Sequence, residues 1–129
     1  MAGRYMLDTN IAVHVLNQKL DLLGRSDDAT EFYLDVAAAG ELLYGAAKSG
    51  RPEQNRRRVE SFVQSCPVLT HDLATASRYG LLKAELRKRG RMIPENDLWI
   101  AASALRHSLV LVTRDRHFDE VEGLLTEAW

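Results

Sequence analysis

The chain has 129 residues, 46% of them hydrophobic and 27% charged, with a formal net charge of −1. That length and mixture suit a single domain spanning 1–129, and near-neutrality excludes binding to nucleic acid through overall charge while leaving room for a local basic patch. One cysteine, Cys66, excludes an internal disulfide and fits a reducing, cytoplasmic setting, and no apolar stretch is long enough to read as a signal peptide or membrane span.

Arg4–Leu7 is a short apolar run that reads as a buried strand. Asp8-Thr9-Asn10 favours turns and helix caps, and residues 11–16 then read as a helix, so Asp8 falls where a strand gives way to a helix. Residues 17–28 are weakly patterned, a loop with room for a helical turn. Glu31–Ala37 is a second predicted strand. Ala38–Ser49 follows as a helix with Leu42, Leu43, Ala46 and Ala47 as its apolar stripe and Glu41 in its first turns. Arg51-Pro52 restarts the chain into a polar helix to about Val63. It carries Arg56, Arg57 and Arg58 on one turn and Val59, Phe62 and Val63 on another face. Cys66 reads as a buried structural thiol rather than a nucleophile, and 67–70 as a third strand.

Asp72 caps the longest predicted helix, which runs to about Arg89 and is ended by Gly90. Its inward stripe is drawn from Leu73, Ala76, Tyr79, Gly80, Lys83, Ala84 and Leu86. The stretch Pro94–Ala102 opens the next helix, which extends to His107. Pro94 suits a first turn, and Glu95 or Asn96 can cap it. Ile100, Ala101, Ala104 and Leu105 recur at helical spacing and mark a buried face, with Asp97 on or near it. An inward acid calls for a hydrogen-bond partner, a cation or a metal, although the helix dipole alone tolerates an acid in the first turn. Residues 108–112 form the strongest strand pattern. Thr113-Arg114-Asp115 ends it, His117-Phe118-Asp119 begins a short turn or helix, and an edge strand is expected around Leu124–Thr126.

Strands alternating with helices predict an α/β fold with a parallel sheet. In right-handed βαβ units, strand carboxyl ends and helix amino ends share one edge of the sheet, where ligand sites lie. Asp8 and Asp115 follow strands, and Glu41 and Asp97 sit near helix starts, so four carboxylates are expected on that edge. They repel one another unless positive charge is supplied. Only Arg114 and Arg116 lie within these motifs. A hard divalent cation such as Mg2+ is the economical partner, and it suits phosphodiester hydrolysis by activated water.

Four stretches then resemble the motifs of the PIN-domain endoribonucleases of the VapC/FitB type, the toxins of type II toxin–antitoxin pairs. They are Leu7-Asp8-Thr9-Asn10, Gly40-Glu41-Leu42-Leu43-Tyr44-Gly45-Ala46, Asn96-Asp97-Leu98-Trp99-Ile100-Ala101-Ala102, and Val112-Thr113-Arg114-Asp115-Arg116-His117-Phe118. The likeness covers nearly the whole chain. It implies a three-layer α/β/α fold around a central parallel sheet of four to five strands, and Mg2+-dependent hydrolysis of RNA, with Mn2+ as a possible substitute. Asp8 and Asp97 would be the metal ligands, and Glu41 and Asp115 would complete the catalytic pocket. Thr9, Asn10, Asn96 and Thr113 would support it. The family's mechanism needs no histidine, and His14, His71, His107 and His117 form no evident catalytic pair. His117 is near Asp115 but reads as a packing or hydrogen-bonding residue. Asp35–Gly40 is poorer in large apolar residues than the family's usual approach to its second motif, which touches the strand end rather than Glu41.

RNA grip has to come from positive charge, with Arg56, Arg57, Arg87 and Lys88 as candidates and solvated helix faces as the alternative. The resemblance also implies a cognate antitoxin, a small DNA-binding protein whose tail wraps the toxin, and a homodimer. A PIN-fold protein that binds RNA or a partner with little or no cleavage is the alternative function. A dehalogenase-like phosphatase would want an aspartate where Asn10 stands. A receiver domain would want a lysine near the last strands, where Thr113-Arg114-Asp115 offers none.

Overall fold

A computed structural model of the chain describes residues 3–25, 27 and 29–129. Met1 and Ala2, and Ser26 and Asp28 of the expected 17–28 loop, lie outside the described residues. The apolar runs form five strands: β1 (Arg4–Leu7), β2 (Glu31–Asp35), β3 (Val68–Leu69), β4 (Val110–Val112) and β5 (Thr126–Glu127). All pair in parallel, in the order β3-β2-β1-β4-β5. The helices are α1 (Thr9–Leu16), α2 (Val36–Ala47), α3 (Pro52–Phe62), α4 (Leu73–Lys88) and α5 (Glu95–Arg106), with short 3-10 turns at Leu23–Arg25 and Arg116–Glu120.

Parallel strands need crossover helices, and these cover both faces of the sheet. Right-handed crossovers put α1, α2 and α3 on one face, where they pack together, and the α4–α5 pair on the other. Met6, Leu7, Leu34, Leu111 and Val112 are therefore fully buried between the layers. Cys66 is buried with them, and burial pushes its thiol up to about 12, which keeps it unreactive.

Several boundaries differ from expectation for local reasons. The second strand stops at Asp35, and α2 begins at Val36, two residues early. The Asp35 carboxylate caps that helix by accepting from Ala37 N at 2.8 Å. The strongest strand pattern yields only three residues, because Ser108 and Leu109 close α5. Their amides donate to Leu105 O and Ala104 O. The edge strand lies at Thr126–Glu127, since residues 121–124 are spent on a turn through Gly123 at φ +83°. On α4 the buried residues are Thr75, Leu82 and Leu86, while Leu73 is 86% exposed. The Asp72 cap binds Thr75 through both its amide and its hydroxyl, each at 2.8 Å, and Thr75 faces inward beneath it. On α2, Leu42 and Ala46 are buried while Leu43 and Ala47 face solvent. Pro94 itself is the N-cap of α5 without a side-chain cap bond. Glu95 instead pairs with Lys83 of α4 at 3.3 Å.

Candidate metal centre

The chain leaves β1 toward β2, while β4 lies on the other side of β1. The crevice beyond the carboxyl ends of β1 and β4 is thus a topological switch point. Asp8 follows β1 and caps α1, accepting from Thr9 N at 2.8 Å. Its own amide donates to Val112 O of β4 at 3.0 Å. The Thr113 hydroxyl, just beyond β4, donates to Asp8 Oδ2 at 2.8 Å and accepts from Asp115 N at 3.0 Å. One threonine thus joins two acids from opposite ends of the chain.

Asp115 caps the 3-10 turn Arg116–Glu120 by accepting from His117 N at 2.9 Å. Asp97 lies in the first turn of α5 and is buried, as is Asp8. Glu41, in the second turn of α2, accepts from the Thr9 hydroxyl at 2.7 Å. Asp8, Glu41, Asp97 and Asp115 all line one cleft of about 200 Å³, together with Thr9, Asn10, Asn96 and His117. Thr9 and Thr113 brace carboxylates. Asn10 is exposed and Asn96 half-buried, and neither side chain hydrogen-bonds an acid among the described residues.

The electrostatics follow from this crowding. Burial raises the Asp8 carboxyl above its ordinary value, opposed by the bonds from Thr113 and Thr9 and reinforced by Asp115 and Glu41. Asp97 is pushed up to about 6, chiefly by burial, with His117 lowering it and the charges of Asp8 and Asp115 raising it. Among the described residues no lysine or arginine pairs with any of the four acids.

His117 is the group that sequence reasoning left outside the site. Its Nδ1 lies 3.2 Å from Asp97 Oδ2 and 3.2 Å from Asp115 Oδ1. Ligand atoms of Asp97, Asp115 and His117 fall within 4.8 Å of one another, a spacing that one metal ion can span. The available signal was its position two residues after a cap acid, which turns the ring back toward Asp115. Asp35 is another strand-end acid, but it is committed elsewhere. It is fully buried and bonded to His71 Nε2 at 2.9 Å, and the His71 ring stacks on Trp99 at 4.4 Å.

The expected RNA-binding cations are dispersed. Arg56 is held within α3 by Glu53 and Glu60 at 2.6 and 3.2 Å. Arg57 is exposed on the same helix. Arg87 and Lys88 are exposed on the last turn of α4. That end of α4 is fastened to both elements bearing the site. Lys83 reaches Glu95 of α5, and Arg89 donates to Glu120 O of the 3-10 turn at 2.6 Å.

A family model described as "PIN domain" matches residues 5–124. The ribonuclease VapC2 of Haemophilus influenzae is 40% identical over 129 residues, covering 98% of each chain. The tRNA(fMet)-specific endonuclease VapC of Shigella flexneri is 36% identical, again over 98% of each. Among solved structures, VapBC2 from Rickettsia felis bound to a promoter DNA fragment superposes with a TM-score of 0.90 at 30% identity, over 98% of both chains. VapBC-1 from nontypeable Haemophilus influenzae gives 0.89 at 30% identity, over the same shares.

Proposed function

Because this chain belongs to the PIN-domain family, with VapC ribonucleases as full-length relatives, we propose that it is a metal-dependent endoribonuclease, the toxin of a type II toxin–antitoxin pair. The observation that carries this reading is the cleft itself: four carboxylates, two of them buried, with no lysine or arginine among the described residues paired to neutralise them. Hard oxygen donors of that kind fit Mg2+ or Mn2+. Asp8 and Asp97 would hold the ion, and ligand atoms of Asp97, Asp115 and His117 lie within 4.8 Å of one another. A bound divalent cation supplies charge neutralisation at the scissile phosphate and a more acidic water.

The chain's own groups do the positioning. Thr113 and the Thr9 amide fix both oxygens of Asp8. The Thr9 hydroxyl fixes Oε1 of Glu41 and leaves Oε2 to orient water and accept its proton. His117 tethers Asp97 to Asp115 and limits how far the two carboxylates spread. The basic end of α4, with Arg87 and Lys88, and Arg57 on α3 supply phosphate attraction that the acids cannot, while Arg56 is held by Glu53 and Glu60. Residues 1–129 act as one PIN domain in the cytoplasm, as a homodimer held in check by a small DNA-binding antitoxin whose tail wraps the toxin. The name of the Shigella relative makes tRNA the first substrate class to test.

Purified protein incubated with total tRNA is expected to cleave it in Mg2+ or Mn2+. Chelation and Asp97→Asn are each expected to abolish cleavage. Cutting that survives both would sink this mechanism.

A further inference from the structure

Beside the acidic cleft lies a second cavity of about 450 Å³, opened between the start of α1 and the loop after β4. It shares Asp8, Asn10 and Asp115 with the acidic cleft, so the two spaces form one groove with the carboxylates at their junction. Its floor is apolar, from Ile11 and Val13, and its rim carries Asn10, His14 and Arg116. The neighbouring Arg114 is already committed, since its guanidinium donates to Trp129 O at 2.6 Å. Arg116 is different. It is exposed, and among the described residues it takes part in no hydrogen bond or ion pair. The Asn10 amide is likewise exposed, and among the described residues neither it nor the His14 ring has a hydrogen-bond or ion-pair partner.

We propose that this cavity is a nucleotide subsite, in which Arg116 binds the RNA phosphate next to the scissile one while Asn10 and His14 contact the attached nucleoside. The inference rests on the ribonuclease reading above. An RNA strand cut at the carboxylates has to continue past them, and its next phosphate meets a repulsive wall unless a cation stands there. Arg116 directly follows Asp115 in the chain, and its charge is free. Arg56, by contrast, is neutralised on both sides by Glu53 and Glu60. An amide that donates and accepts and an imidazole beside it suit the polar edge of an unpaired base. Val13, which is exposed, suits its ribose or ring face. The volume falls in the range that holds ligands of nucleotide size. Sequence preference in the RNA would then be read on the α1 side of the site.

The test uses the full chain and a single-stranded oligoribonucleotide covering the main cut in tRNA. Arg116→Ala is expected to raise KM about tenfold, more than it lowers kcat. It should also reduce the slope of log affinity against log salt by about 0.7, with Arg116→Lys recovering the slope. Asn10→Ala and His14→Ala are expected to relax the choice of nucleotide beside the cut. The thermal shift produced by Mn2+ alone should stay as in the wild type for Arg116→Ala and His14→Ala, showing an intact metal centre. Unchanged KM, salt slope and cut-site choice in an Arg116→Ala/Asn10→Ala/His14→Ala variant of a cleaving wild type would overturn the subsite and leave the ribonuclease reading standing. A wild type that cuts no RNA with either metal would overturn both.

Discussion

Asp97 is held in a position that favours its neutral form, yet its use requires the charged one. Its carboxyl is pushed up to about 6 in the folded chain, against 3.8 for an ordinary aspartate. A raised folded value means the native state holds the extra proton between those limits. The favourable contribution is complete below about pH 4 and is lost as pH rises through 6. At pH 7 without metal, the ionised Asp97 therefore costs the fold on the order of 1–3 kcal/mol. Asp97→Asn is expected to be more resistant to urea than the wild type at pH 7 in chelated buffer, with the gap closing near pH 4. A wild type equally stable at both pH values relative to the variant would show that the burial is relieved by other means. The acids themselves could be read from the sequence because capping is local: Asp8 and Asp115 each bind an amide within two residues of their own position. His117 could be read only as a neighbour of Asp115, not as a contact of Asp97. Half of its contact comes from α5, and that proximity is set by packing.

Helix ends show the same division between local and distant causes. Gly90 after α4 takes φ +68°, with its amide on Arg87 O and that of Arg91 on Leu86 O. Sequence reasoning found that stop because glycine announces it. After α5 the same geometry is made by Ser108 at φ 55°, and after α1 by Gln18 at φ 58°. Neither residue advertises a left-handed turn, so the strand after α5 was expected to begin too early. Side chains with a Cβ are strained there, and Ser108→Gly is expected to stabilise the protein by about 0.5–1 kcal/mol. The check is a higher urea midpoint with an unchanged m-value; a lower midpoint would mean the Ser108 side chain has a role of its own. The start of α2 misled in the opposite way. Asp35 sits in an apolar run that reads as strand, but its buried carboxylate caps a helix and holds His71. The face of α4 was also hidden, because its apolar residues are spread around the helix and tertiary packing selects which of them are covered.

The molecule as a whole joins its two ends at the site. β1 and β4 are neighbours in the sheet, and the Thr113 hydroxyl binds Asp8 across 105 positions of sequence. Alternating elements made the parallel sheet readable in advance, and with it the shared edge of the four acids. The completeness of the cleft depends on the last third of the chain. Expression in bacteria without a neutralising partner is expected to arrest growth, and Asp8→Asn to relieve it. A chain stopped after residue 109 keeps Asp8, Glu41 and Asp97 but lacks β4, Thr113 and Asp115. It is expected to be harmless, and arrest by that fragment would show that the site does not need the β1–β4 junction.

That junction also sets a clock on translation. Asp8 is made early and its partners late, and at about 5–20 residues per second the interval between Asp8 and Asp115 lasts roughly 5–20 s. Throughout that time the growing polypeptide has no assembled cleft. Strand order thus delays assembly of the cleft until Thr113 and Asp115 have been made.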